Sequence, residues 1–156
     1  MKRLLLIAIA VFSLSTPTQA SAGRPGPKWI GTPTCTATAT TLSCSGKVAR
    51  LNPRLSAYAE LAAQVFWKCA DADLYTNAFT GLGQIVDIRN GQRFTINWTP
   101  PTVPPEQPDG CPSGQWIRWD PNTQQEGVVY DVVSLLVFQP PASQFLTYDF
   151  GEVYPT

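Results

Sequence analysis

Apolar residues recur at every second position from Ala57 to Cys69. Ala57, Ala59, Leu61, Ala63, Val65, Trp67 and Cys69 take one side, and Tyr58, Glu60, Gln64 and Lys68 take the other. Period two is the signature of a strand with one buried face. Ala59, Glu60, Leu61, Ala62 and Ala63 favour helix by intrinsic propensity, and Ala62 and Phe66 dilute the polar side. The alternation runs the whole segment nonetheless, and it predicts a strand. Val86 and Ile88 alternate in the same way into Asn90-Gly91, and Phe94, Ile96 and Trp98 resume the pattern beyond it. Asn-Gly is the strongest short hairpin signal, so two paired strands joined by a type I′ turn are expected here.

From Thr34 to Val48 threonines alternate with alanines and serines, which suits a pleated strand that reverses near Ala39 and Thr40. The periodicity stops between Ala70 and Gly83, where Gly81 and Gly83 suggest a surface loop. Six prolines between Pro100 and Pro112 exclude helix interior and central strand, leaving a stiff connection. Trp116 to Asp120 reads as a short strand. Gly127 to Phe138 is the most apolar stretch after the N-terminal segment and reads as a central strand. Phe145 to Val153 reads as a last strand, with Leu146, Tyr148 and Phe150 on one side. The resulting expectation is all-β: an immunoglobulin-like β-sandwich of about seven strands.

The N-terminus changes the picture of where this domain works. Lys2 and Arg3 precede an apolar run from Leu4 to Phe12, and small and polar residues follow through Ala22. That is the pattern of an export signal, 1–22, with an apolar core too short to span a bilayer. Cleavage after Ala22 fits best, and after Ala20 next. Residues 23–33, rich in Gly and Pro, form an extended lead-in, with Trp29 tucked onto the edge of a single domain at 34–156. A secreted, extracellular protein is expected, with no membrane insertion once the signal is removed.

Export makes the cysteines legible. Cys35, Cys44, Cys69 and Cys111 are even in number in an oxidising compartment, and so read as two disulfides. Three pairings are possible by count. A reversal near Ala39 sets Cys35 opposite Cys44, and Cys69 with Cys111 follows by elimination. A metal site is the weaker reading, because no Cys-x-x-Cys pair and no histidine is present.

The absence of histidine also bounds the chemistry. No Ser-His-Asp or Cys-His arrangement can be built. What remains for catalysis is a carboxylate pair of glycosidase type, from Asp71 with Asp73, Asp109 with Asp120, or Glu126 with Asp131. None sits in a motif, and solvated acids are the simpler reading. Asp71-Ala72-Asp73 with Tyr75 and Asn77 begins like a calcium loop but lacks its glycine and its closing glutamate. No cofactor and no catalytic residue are expected.

Net charge is zero but unevenly spread, with six basic residues against Glu60 from Gly23 to Ala70, and three against ten acids beyond. Lys47, Arg50 and Arg54 form a small basic group that suits solubility or an anionic partner, and nothing supports nucleic acid. Asn97-Trp98-Thr99 matches a glycosylation acceptor inside an expected strand. Five tryptophans stand out. Trp67 and Trp98 belong to the core. Trp116 and Trp119 flank Ile117-Arg118 beside Asp120; core packing is the simpler role for the two rings, and as candidate binding residues Trp116, Trp119, Arg118 and Asp120 suit an interface anchor or a sugar-stacking surface.

Three cysteine-centred segments, Thr32-Pro33-Thr34-Cys35, Cys44-Ser45-Gly46-Lys47-Val48-Ala49 and Cys111-Pro112-Ser113-Gly114-Gln115-Trp116, resemble small secreted β proteins of high-GC bacteria that have no assigned function. The resemblance spans most of the exported length. It departs in the Ala- and Leu-rich strand before Cys69 and in Ala70 to Asp73. It implies the same β fold and transfers no catalytic residue. Taken together these features predict a non-enzymatic domain acting by surface contact with an unknown protein or cell-surface glycan. The alternatives are a carbohydrate-binding module using Trp116 and Trp119, a protease inhibitor presenting Pro104 to Pro112, and a carboxylate-only glycoside hydrolase.

Overall fold

A computed structural model describes residues 26–79, 85–140 and 145–156, so the expected export signal at 1–22, Gly81 and Gly83 lie outside the described residues. The chain is all-β, with eleven strands in two sheets among the described residues. They are β1 (Lys28–Trp29), β2 (Thr34–Ala37), β3 (Leu42–Ala49), β4 (Ala57–Cys69), β5 (Tyr75–Phe79), β6 (Ile85–Ile88), β7 (Arg93–Trp98), β8 (Trp116–Asp120), β9 (Gln125–Glu126), β10 (Tyr130–Phe138) and β11 (Phe145–Val153).

The alternating segment at 57–69 is the axis of the larger sheet. Its apolar side, Ala57 through Cys69, is buried throughout. At 13 residues β4 is long enough to be bordered on each side by two shorter strands in succession. On one side β6 pairs with residues 57–60 and β5 with residues 64–68. On the other, β10 pairs with residues 58–64 and β8 with residues 67–69. Beyond these, β11 borders β10 and β9 borders β8, and every pairing is antiparallel. Strands β1, β5 and β9 are the additions to the expected seven or so. A bulge at Asp131–Val133 leaves Val132 exposed with φ of 53°.

The smaller sheet is curled into a half-barrel around β3, with β7 on one side and β1 and β2 on the other. Leu42, Cys44 and Val48 of β3 meet Phe94, Ile96 and Trp98 of β7 in a core shared with Leu61, Val65, Trp67 and Leu135 of the larger sheet. Trp98 packs edge-on against Tyr130, whose hydroxyl donates to the Thr38 carbonyl at 3.0 Å and so ties β10 to the β2–β3 turn. At the sheet edge Trp29 stacks near Phe94 and Tyr148, and its indole N–H donates to the Thr147 carbonyl at 3.4 Å. The lead-in is therefore partly a strand of the domain. It stitches the two sheets together.

Both disulfides form as expected. Cys35 lies opposite Cys44 in the β2–β3 register, and Cys69 bridges to Cys111 across a separation of 42 residues. Among the described residues no helix is long and apolar enough to cross a membrane.

Two expectations need correction. Val86–Ile88 and Phe94–Trp98 do not pair as a hairpin, because β6 pairs with β4 in the larger sheet and β7 with β3 in the smaller. Asn90-Gly91 is instead a corner that hands the chain from one sheet to the other. Gly91 has φ of 73°, Asn90 is not left-handed, and Gln92 N–H donates to the Arg89 carbonyl, the pattern of a type II turn rather than type I′. The expected loop after Ala70 holds strand β5. Tyr75, Asn77 and Phe79 alternate outward there, a short period-two run that the flanking polar residues conceal.

Candidate functional site

The geometry of β8 decides which candidate residues can meet a partner. Arg118 lies opposite Trp67 and Cys69 opposite Trp116, so Trp116, Arg118 and Asp120 take the inner face while Ile117 and Trp119 take the outer. Trp116 packs against the core. The Arg118 guanidinium lies 4.2 Å from the Trp67 ring centroid, and its Nη2 donates to the Pro101 carbonyl at 2.7 Å. That cation–π contact offsets the hydrogen bonds that Trp67 Nε1 and Arg118 Nη1 do not make to protein atoms. Burial pushes the Arg118 pKa down, and its positive charge in turn opposes the rise that burial imposes on the Tyr130 phenol. Asp120 is buried and accepts the amide hydrogens of Asn122 and Thr123 at 2.9 and 3.4 Å, capping the turn after β8. The four residues do not share one surface. Trp119 alone reaches the outer face.

There it joins residues that the sequence did not single out. Lys68 pairs in register with Tyr75 across β4–β5 and with Ile117 across β4–β8, which brings the outer side chains of all three strands together. The Tyr75 and Trp119 rings are 6.0 Å apart at 54°. The Lys68 ammonium sits 4.7 Å from the Trp119 centroid and 5.5 Å from that of Tyr75, and Asp73 holds it at 2.9 Å. Their hydrogen bond raises the Lys68 pKa and lowers that of Asp73. Phe66, Pro121 and Gln124 complete a shallow, mostly apolar depression of about 360 Å³ with Tyr75 and Trp119. On the same strand Phe79 is 63% exposed and Tyr75 49%.

Asn122 links two carboxylates, its N–H donating to Asp120 and its side-chain amide to Glu152, each at 2.9 Å, but the pairs read from the sequence do not share a partner in this way. Asp71 accepts from the Ser113 hydroxyl at 2.8 Å, Asp73 is paired with Lys68, and Asp131 accepts from the Val132 amide at 2.7 Å. Asp109 and Glu126 are exposed. The depressions at this face and at the end of the sheets hold at most one carboxylate, Asp87. Asp71 and Asp73 are thus committed to different partners and form no shared cradle for a cation. Donor atoms of Cys69, Asp71 and Cys111 lie within 4.8 Å of one another, but the two sulfurs are bonded to each other and offer no thiolate. The proline-rich loop is pinned by Cys111, by buried Pro104, and by a Thr76 hydroxyl that donates to the Glu106 carbonyl at 3.4 Å.

Comparison with protein-family models, curated proteins and solved structures finds no match for the chain.

Proposed function

We propose that this chain is a secreted, non-enzymatic β-sandwich domain of immunoglobulin-like architecture, related to the small exported β proteins its cysteine motifs resemble. It acts by contact with a partner protein through the outer face of the larger sheet. The observation that carries this reading is the cluster of Tyr75, Phe79, Trp119 and Phe66 on one sheet face, beside a fixed Lys68–Asp73 ion pair. Aromatic side chains ringed by charge are what interface anchors consist of. The paired cysteines support an oxidising, extracellular setting.

A photo-crosslinking amino acid tests the contact: Phe79→p-benzoylphenylalanine on this face, and Thr95→p-benzoylphenylalanine on the exposed side of the smaller sheet as control. Discrete polypeptide adducts from position 79 alone, in the protein's own culture medium, are expected. Equal labelling from both positions, or none, rejects the reading.

A cell-surface glycan is the second reading, favoured by the ring-lined depression with the Gln124 amide at its edge. It rests on Trp119 and Tyr75 rather than on Trp116 and Trp119 as a pair. Against it, Lys68 already lies over the Trp119 ring, where a sugar would stack. Saturable retention on a polysaccharide that is lost in Trp119→Ala would favour it over the protein contact.

A further inference from the structure

A second concavity lies away from the aromatic face, at the end of the two sheets where the β3–β4 connection meets the corner between β6 and β7. Its volume is about 410 Å³, larger than the outer-face depression. Its lining is mixed: Leu51, Leu55, Ala57 and Ile88 supply the apolar part, Asn52, Asn90, Gln92 and Gln139 the polar part, and Arg89 stands at the rim. An adjoining depression shares Leu55, Ala57, Ile88 and Arg89 and adds Arg54. Asp87 is the one acid in the two. No ion pair or hydrogen bond involves the side chain of Arg54, Arg89 or nearby Arg50 among the described residues.

The walls are held in place. The buried Gln139 side chain accepts from Asn52 N–H at 2.8 Å and donates to the Asn52 and Leu55 carbonyls at 3.0 and 3.2 Å, which fixes the connection from within. Asn90 Oδ1 accepts from Leu51 N–H at 3.2 Å, and Gly91 N–H donates to the Val48 carbonyl at 2.8 Å, which ties the corner to the connection. A cleft held this way loses little entropy when a ligand enters.

We infer that this end cleft binds a small amphiphilic organic anion, its apolar body against Leu51, Leu55, Ala57 and Ile88 and its carboxylate, sulfonate or phosphate on Arg89 with Arg54 beside it. Charge complementarity selects the anion, since two arginines free of ion pairs border the cleft against a single acid. The size selects a small molecule over a polymer, and the mixed polar and apolar lining suits an amphiphilic one. The basic group Lys47, Arg50 and Arg54, visible along the sequence, is therefore regrouped by the fold. Lys47 goes to β3, opposite Arg93, and Arg89 takes its place. The inference is independent of the aromatic face and stands or falls without it.

The test titrates the mature protein with 8-anilinonaphthalene-1-sulfonate and, in parallel, with uncharged N-phenyl-1-naphthylamine. Near-UV circular dichroism verifies a native fold throughout. Saturable one-site binding of the sulfonate is expected, weakened roughly tenfold by Arg89→Gln, the scale of one charge-assisted contact, and less by Arg54→Gln. Tyr75→Ser should leave it unchanged. Both arginines are exposed, so their replacement does not threaten folding. Side-chain amide resonances of Gln139 should shift on titration. Absence of saturable binding overturns the inference, as does equal affinity for the uncharged analogue, an unchanged constant in Arg89→Gln, or loss of binding in Tyr75→Ser.

Discussion

Trp116 and Trp119 are three positions apart, an odd number, and on a strand that parity sends them to opposite faces. Trp119 then gains neighbours distant in sequence, Tyr75, Lys68 and Phe66, while Trp116 joins the core. The Lys68–Asp73 pair beside it yields a pH prediction. The Asp73 carboxyl is held below its ordinary value by Lys68, so the pair persists above the usual aspartate pKa, about 3.9, and is lost as pH falls through the lower folded value. The Lys68 pKa is raised, so its side of the pair is intact below about 10.4 and fails only as pH climbs beyond that. The pair is exposed to solvent on the Asp73 side, so it adds little to global stability. The readout is local. The Trp119 indole resonance should hold steady between pH ~5 and ~9 and move below pH ~4, where carboxylates titrate. Asp73→Asn should abolish that acid transition, and a transition that survives the substitution would refute the assignment.

At the scale of elements, periodicity was a sound guide to strands and a poor one to their partners. The alternation from Ala57 to Cys69 outweighs helix propensity because the segment gains its stability from burying one face, which propensity does not measure. Asn90-Gly91 shows the opposite case. Gly91 supplies the left-handed residue a tight turn needs, yet the turn chemistry cannot say whether the two strands pair or part into different sheets. Docking of β1 on β3 depends on a different glycine. A Cβ on Gly46 would lie 2.7 Å from Trp29 Cζ3 and 3.1 Å from Phe94 Cζ. Gly46→Ala should therefore destabilise the protein by about 1–3 kcal/mol, the usual cost of overpacking a core, as read by urea denaturation. In a Trp29→Ala background the same change should cost far less. Equal costs in both backgrounds would show that Trp29 is not what the new methyl group meets.

Across the whole molecule, the two disulfides do unequal work. Cys35–Cys44 spans 9 residues within one hairpin, and Cys69–Cys111 spans 42 and anchors the proline-rich loop to β4. In the chain-entropy account the longer loop contributes more, by about 1.4 kcal/mol, because closing it removes more freedom from the unfolded chain. Replacing Cys69 and Cys111 with Ala should lower the urea midpoint more than replacing Cys35 and Cys44. The reverse order would mean that packing around the buried Cys44 outweighs loop entropy. The sequence by itself determined the all-β class, the strands at 57–69, 116–120 and 145–153, and that the cysteines pair, while the structure chose Cys35–Cys44 and Cys69–Cys111 among the three possible pairings. What the sequence determined rests on periodicity or on the parity of a cysteine count, both properties of the chain before it folds. The tertiary structure alone decided that β6 and β7 part into different sheets, that Phe66, Tyr75 and Trp119 converge, and that Arg54 meets Arg89 across one cleft. Those outcomes depend on which strands lie beside β4 and how two sheets close over a core, and such long-range pairings leave no periodic trace in the residues that make them.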